Sequence, residues 1–292
     1  TCALPIWSGM STLIHKTIKG KKINAEIFNS AMEVATVNES RQRTSSQFHD
    51  MPTWTSTRSH WCGVESYEKA QELLRIGYQP VIEDLKKSFK TDAMGESRRF
   101  KFENNVHGFA PIVPLALKGV PNSMVNMTMK PIKAKVVDVF YDMTVASCIS
   151  ADEQMRAGRE ILAAIIDLEK QGYRFNLYAA ITFTGCGGAD IICIKIKSAE
   201  QPLDIKRVSF PMAHTGFFRV IGFDWYSKVP GGEYRSGYGQ GAYYRWGSET
   251  GKEILEGLTG RKNVIYFSAA EIVKRNRGKE EIKEELTNDS KA

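Results

Sequence analysis

The chain has 292 residues, 42% of them hydrophobic and 25% charged, an ordinary globular composition with enough apolar material for one large domain or two smaller ones. It contains no run of about 18 apolar residues, which excludes a membrane-spanning helix and removes a membrane from the expected partners. The net charge of +7, from 40 Lys and Arg against 33 Asp and Glu, is compatible with anionic partners, but both signs are interspersed and do not by themselves demand nucleic acid.

In chain order, Thr1-Cys2-Ala3-Leu4-Pro5-Ile6 reads as a translated sequencing adapter, so the natural chain is expected to begin at Met10 or to have lost its true start. Residues 1–60 read as an amino-terminal arm, with Ile23, Ile27, Met32 and Val34 suggesting a short helix before a Ser/Thr/Arg-rich linker. Residues 61–130 read as a helical region and connector. "ESYEKAQELLRIGY" has a cap at Ser66, apolar residues at helical spacing and a stop at Gly77, and "QPVIEDLKKSFK" repeats the pattern. "APIVPLALKGVPNSM" is broken by three prolines and predicts a connector.

Residues 131–270 carry the α/β signal. "PIKAKVVDVFYDMTVA" suits a buried strand, and "ADEQMRAGREILAAIIDLEKQG" is a helix with Ile161, Leu162, Ile165, Ile166 and Leu168 on one side. "YRFNLYAAITF" and "ADIICIKIKS" are strands joined by "TGCGG". Strand, helix and strand in this order predict a parallel crossover, and the short glycine turn makes the next strand antiparallel. "LDIKRVSFPMAHTGFFRVIGFDWYS" predicts helix on either side of Pro211. A glycine loop, a helix near "SETGKEILEGLTG" and the strand "KNVIYFS" follow, and residues 271–292 read as a charged helix or tail that frays.

This order resembles the von Willebrand factor A-like fold, which implies a three-layer α/β/α sandwich, preceded here by a small helical region. Members with a metal site end the first strand in Asp-x-Ser-x-Ser, whose carboxylate and hydroxyls hold a divalent cation. In Asp138-Val139-Phe140-Tyr141-Asp142-Met143, Phe140 and Asp142 stand where hydroxyls would. The implied site is therefore degenerate, with Asp138 and Asp142 as its metal candidates; the other reading has Asp138 capping or pairing locally.

Four blocks give a second resemblance, over roughly residues 60–245, to an uncharacterised family of tailed-phage and prophage proteins. They are "WCGVESYEKAQELLRIGY", "VPLALKGVPNSM", "RAGREILAAIIDLEKQGYRFNL" and "PLDIKRVSFPMAHTGFFRVIGF", in that order. Thr215 stands where that family would have proline after the histidine. The resemblance implies a phage-encoded protein without an assigned activity, in the cytoplasm of an infected bacterial host or associated with the virion.

His214, Arg219 and Asp204 are the catalytic candidates: an acid/base, an anion clamp and a carboxylate. The competing reading makes His214 a core histidine, Arg219 an ion-pair partner of Asp204 or Glu169, and Asp204 a helix cap. No nucleophile sits beside them, which favours a non-enzymatic chain. The five cysteines, Cys2, Cys62, Cys148, Cys186 and Cys193, sit in apolar or strand-like contexts that favour reduced thiols, and their spacing predicts no zinc or other cofactor. Cys186 between glycines is read as part of a hairpin turn.

"GGEYRSGYGQGAYYRWG", residues 231–247, lacks the spacing of a dinucleotide fingerprint and the lysine of a phosphate loop. Its Arg235, Tyr238, Tyr243, Tyr244, Arg245 and Trp246 form a candidate binding set, for a phage or host protein or for unpaired bases of nucleic acid; the remaining reading is a flap packed on its own protein. The expected function is a protein-interaction or scaffold module. The alternatives are a nucleic-acid-associated protein using that loop and a metal-dependent enzyme.

Overall fold

The computed structural model describes residues 11–42, 60–90, 100–129, 135–185, 187–230 and 241–288. Strands β1 (Thr12–Ile18) and β2 (Lys21–Phe28) are joined by Lys19 and Gly20, both at positive φ (50° and 71°). Two such residues make a tight turn whose twist matches the strands it joins, and Ile18 pairs with Lys21. The short helix expected around Ile23 is therefore strand as far as Phe28, and helix α1 (Ala31–Ser40) starts only after its Ser30 cap. Burial on both faces hides the strand in the sequence: β2 buries Asn24 and Glu26 as well as Ile23, Ala25 and Phe28.

Helices α2 (Tyr67–Ile76), with Ser66 as its cap and Gly77 beyond its end, and α3 (Gln79–Lys90) form the expected pair. The stretch expected as a connector instead contributes to a separate antiparallel sheet. Its strands are β3 (Phe100–Asn105), β4 (Ala110–Pro111) and β5 (Met124–Met129), in the order β3-β5-β4, with the short helix α4 (Val113–Leu117) between β4 and β5. The prolines fit this arrangement. Pro111 lies on a two-residue edge strand and Pro114 in the first turn of α4, where neither has a ladder or helix N–H to supply.

Strand β6 (Lys135–Asp142), helix α5 (Ala151–Lys170) and strand β7 (Tyr173–Thr184) form the parallel crossover, and β8 (Gly188–Lys197) returns antiparallel. A capping box between Ser150 and Glu153 starts α5, satisfying amides that the first turn leaves unpaired. Helix α6 (Ile205–Ala213) runs through Pro211, which falls in its last turn. It is followed by a π-helical turn (Phe217–Gly222), helices α7 (Phe223–Lys228) and α8 (Ala242–Thr259), and strand β9 (Ile265–Ser268). Helices α9 (Ala269–Arg275) and α10 (Lys279–Asn288) complete the described chain. β9 lies parallel to β6, giving a mixed six-stranded sheet ordered β1-β2-β8-β7-β6-β9. The protein is mixed α/β.

Alternation along the strands sends side chains to two cores. Val137, Val139, Tyr141, Phe175, Leu177, Ile181 and Phe183 face α5, α6 and the segments that follow α6. Phe140, Tyr178, Ala180, Ile191 and Cys193 meet Ile254, Leu255 and Leu258 of α8 on the other face. The charged carboxyl-terminal segment does not fray within the described residues. Asn276, in a left-handed conformation, divides it into two helices, and Ile282 and Leu286 are fully buried.

Helices α5 and α6 cross at Gly158, where an added Cβ would lie 2.1 Å from the Met212 carbonyl oxygen and 2.6 Å from Ala213 Cα. Because both contacts are backbone, relief requires a helix to move. Gly158→Ala is expected to lose at least about 2 kcal/mol and lower Tm by roughly 5 °C or more. Gly278→Ala, with nothing within 4 Å, serves as the control and should leave Tm in place; equal melting of the two variants would contradict the crossing.

Candidate functional site

The parallel strands β6, β7 and β9 end along one edge of the sheet, where ligands bind in many α/β folds. Asp142, the last residue of β6, is fully buried there. Its Oδ1 accepts the Thr144 N–H at 3.0 Å, and its Oδ2 accepts the hydroxyls of Thr182 and Tyr266, each at 2.9 Å. Thr144 Oγ1 accepts the Thr182 N–H, and Thr182 Oγ1 accepts the Ala242 N–H, both at 2.8 Å. The start of α8 is thus bonded to the strand ends. A Cβ on Gly241 would come within 3.1 Å of Thr144 Cβ, so this position favours glycine.

Burial lifts the Asp142 carboxyl above the usual carboxylate range, against the hydrogen bonds from Thr144, Thr182 and Tyr266 that lower it. Burial, then the adjacent Asp142 charge, lifts the Tyr266 phenol well above its ordinary value. Asp142, Thr144, Thr182 and Tyr266 are all buried. As arranged, they fasten α8 to the edge of the sheet.

The glycine-rich stretch is anchored at both ends. Asn24 Nδ2 donates to the Pro230 carbonyl at 3.1 Å and to Asp190 at 2.6 Å, and Gly241 and Ala242 meet Thr144 and Thr182. Gly241 and Ala242 thus stand next to the end of β6. Arg235 and Tyr238 lie outside the described residues, as do Cys2, Cys186 and the segment 1–10. Tyr243 and Trp246 pack against the two cores, and Lys21 sits 5.5 Å over the Trp246 ring. Tyr244 and Arg245 are exposed. The four described aromatic and basic residues therefore do not form one open stacking surface.

Asp138 is not at the strand end. It lies mid-strand, held by Asn176 Nδ2 at 2.6 Å and Arg261 at 3.2 Å, while the residues at the end are Asp142-Met143-Thr144. Both Asp142 oxygens already accept hydrogen bonds, and the described residues contain no group of three His, Cys, Asp or Glu able to hold a metal ion. This donor set does not fit a hard divalent cation, which takes six or more oxygen ligands.

Asp204, His214 and Arg219 take separate places. Asp204 is exposed and caps α6, accepting the Lys206 N–H at 3.0 Å. The Arg219 guanidinium is buried over the Trp61 ring, 4.3 Å from its centroid, and donates to the carbonyls of Trp61 at 2.7 Å and Ile149 at 2.6 Å. Burial lowers its pKa to about 10. The ion pair expected with Asp204 or Glu169 is not formed: Asp204 caps α6, and Glu169 pairs with Lys197 at 2.7 Å. His214 Nδ1 accepts the Gly216 N–H at 2.9 Å, and its ring lies 4.4 Å from Tyr78 and 5.0 Å from Phe210. Burial pushes its pKa down to about 4, leaving a neutral core imidazole.

Two buried polar groups escaped the sequence reading. Glu26 on β2 is fully buried, accepting two hydrogen bonds from Arg41 and one at 2.7 Å from Trp225 Nε1. Gln154 on α5 donates to the Met143 carbonyl at 2.8 Å and accepts the Thr215 hydroxyl at 2.5 Å, so Thr215 uses a donor that proline would lack. A lone glutamate among strand residues was the available signal for the first; nothing local marked the second.

Residues 14–289 match a family described as a domain of unknown function (DUF7192). No curated protein and no solved structure matches the chain.

The buried imidazole gives a pH test. His214 has a folded pKa of about 4 against 6.5 for the free side chain, so the unfolded chain takes the proton first as pH falls. The stability it contributes is intact above pH 6.5 and is lost down to about pH 4, on the order of 3 kcal/mol. His214→Asn, which keeps an acceptor for the Gly216 N–H, should flatten that part of the profile in urea melts between pH 7 and 4; identical slopes would show that the imidazole is not buried neutral.

Proposed function

The chain belongs to the DUF7192 family, and on that premise we propose that it is a phage-encoded, non-enzymatic protein-interaction module on a von Willebrand factor A-like sheet. The fold reading is supported by β7, β6 and β9 running parallel with β8 antiparallel beside them, and by an Asp-x-Thr at the end of β6. The four sequence blocks support a phage origin, with action in the host cytoplasm or on the virion.

The observation that carries the interaction reading is the three-stranded sheet of residues 100–129. No residue from Phe102 to Met127 is buried. Of the ten large hydrophobic residues exposed among the described residues, seven lie here: Phe102, Val106, Phe109, Val113, Leu117, Val120 and Met127. Phe102 is 62% exposed, Phe109 66% and Leu117 83%. Phe102 pairs in register with Met127 and touches the Phe109 ring edge-on at 6.4 Å. A small sheet with no packed face gains little stability on its own, and clustered exposed apolar residues mark association surfaces. The end of β6, by contrast, is closed by the hydrogen bonds that Asp142 accepts.

Replacing Phe102, Phe109 and Leu117 together by Ser tests this reading. The tagged wild-type chain, recovered from an infected host, should retain a protein partner after nuclease treatment, and the triple variant should lose it at least about tenfold. Tm should stay unchanged, since none of the three side chains is buried. Undiminished capture by the variant, or recovery only of nucleic acid that nuclease removes, would overturn the interaction reading.

A further inference from the structure

Cys62 and Cys148 are 86 positions apart in sequence and are brought to the same buried guanidinium. Arg219 donates from one terminal nitrogen to the carbonyl of Trp61, immediately before Cys62, and from the other to that of Ile149, immediately after Cys148. Trp61 Nε1 also donates to the carbonyl of Ser147, the residue before Cys148, at 3.0 Å. Three hydrogen bonds therefore clamp the two cysteine-bearing segments together. Cys62 is buried, at 2% exposure, and Cys148 is exposed. Both side chains lie near enough to the guanidinium to raise its pKa against the burial that lowers it.

Arg219 itself points to anionic chemistry. It is 1% exposed, its Nε has no hydrogen-bond partner, and among the described residues no carboxylate pairs with it. A buried cation without a counter-ion is costly, and a negatively charged sulfur beside it would offset part of that cost.

We propose that Cys148 is a peroxide-sensitive thiol and that Cys62 resolves it as an intramolecular disulfide, with Arg219 holding the two segments in register. In the first step the Cys148 sulfur attacks hydrogen peroxide. The O–O bond breaks, a sulfenic acid forms at Cys148, and one water leaves. In the second, the Cys62 sulfur attacks that of Cys148: the S–S bond forms, the S–O bond breaks, and the hydroxyl leaves with the Cys62 proton as a second water. Two thiols are oxidised and one peroxide is reduced, and a dithiol reductant reverses the link. The disulfide would tie the segment before α2 to the loop between β6 and α5, beside Tyr244, whose phenol lies near both Ala146 and Cys148. This reading is independent of the surface on residues 100–129.

The experiment exposes the folded full chain to dilute hydrogen peroxide, blocks remaining thiols, and maps disulfides on non-reduced peptides. The wild type should lose two of its five thiols, yield the Cys62–Cys148 peptide as its principal link, and regain both thiols with dithiothreitol. Cys148→Ser should lose the link. Cys62→Ser, or Cys62→Ala if the serine variant does not fold, should leave Cys148 trapped as a dimedone-reactive sulfenic acid. Oxidation of Cys148 in the folded wild type without linkage to Cys62, or a link that forms only in denaturant, would overturn the proposal.

Discussion

Asp142 places a carboxyl group in the interior at the point where the parallel strands end, and the surrounding chain is arranged to satisfy it. Its two oxygens take a backbone amide and two hydroxyls, and one of those hydroxyls, on Thr182, accepts in turn the amide that opens α8. Removing one member of such a network leaves a buried polar group unpaired, which costs more than the bond itself contributes. The seating of α8, the exit of the glycine stretch and the small core under Ile254 and Leu258 all follow from this one edge being closed.

Arg219 does similar work on the opposite face. A π-helical turn projects its guanidinium between the segment preceding α2 and the loop preceding α5, where it bonds two carbonyls and stacks on Trp61. Together with Gln154, which donates to the Met143 carbonyl, it fixes the loop after β6 from the side that Asp142 does not reach. Of the groups singled out in sequence, Asp204 caps a helix, His214 accepts the Gly216 N–H and Arg219 bonds two loop carbonyls. Most of the large apolar side chains that look outward among the described residues lie elsewhere, within residues 100–129.

The central architecture was legible because its signals are local. The apolar stripe from Ile161 to Leu168 and the glycines after Thr184 predict the helix, its crossover and the hairpin. The amino-terminal strands were not legible, because a strand buried on both faces shows no clean alternation, and the Lys19-Gly20 turn that would have marked the hairpin went unread. The small sheet was hidden by prolines that lie where no amide is required. The site was legible in part: Asp142 is singled out in the sequence, but Asp138 was expected at a strand end that lies four residues further on. Arg219 was assigned an acidic partner because sequence shows charges and not the carbonyls a fold will present.

A closed strand edge and an open, unpacked sheet differ most in backbone protection, so amide hydrogen exchange on the isolated full chain distinguishes them most directly. Protection should reach its maximum at the amides of Thr144, Thr182 and Ala242 together with the interior of β6 and β7, and should be lower by orders of magnitude across β3 and β5. Rapid exchange at Thr144 and Ala242, with core-like protection across residues 100–129, would contradict it.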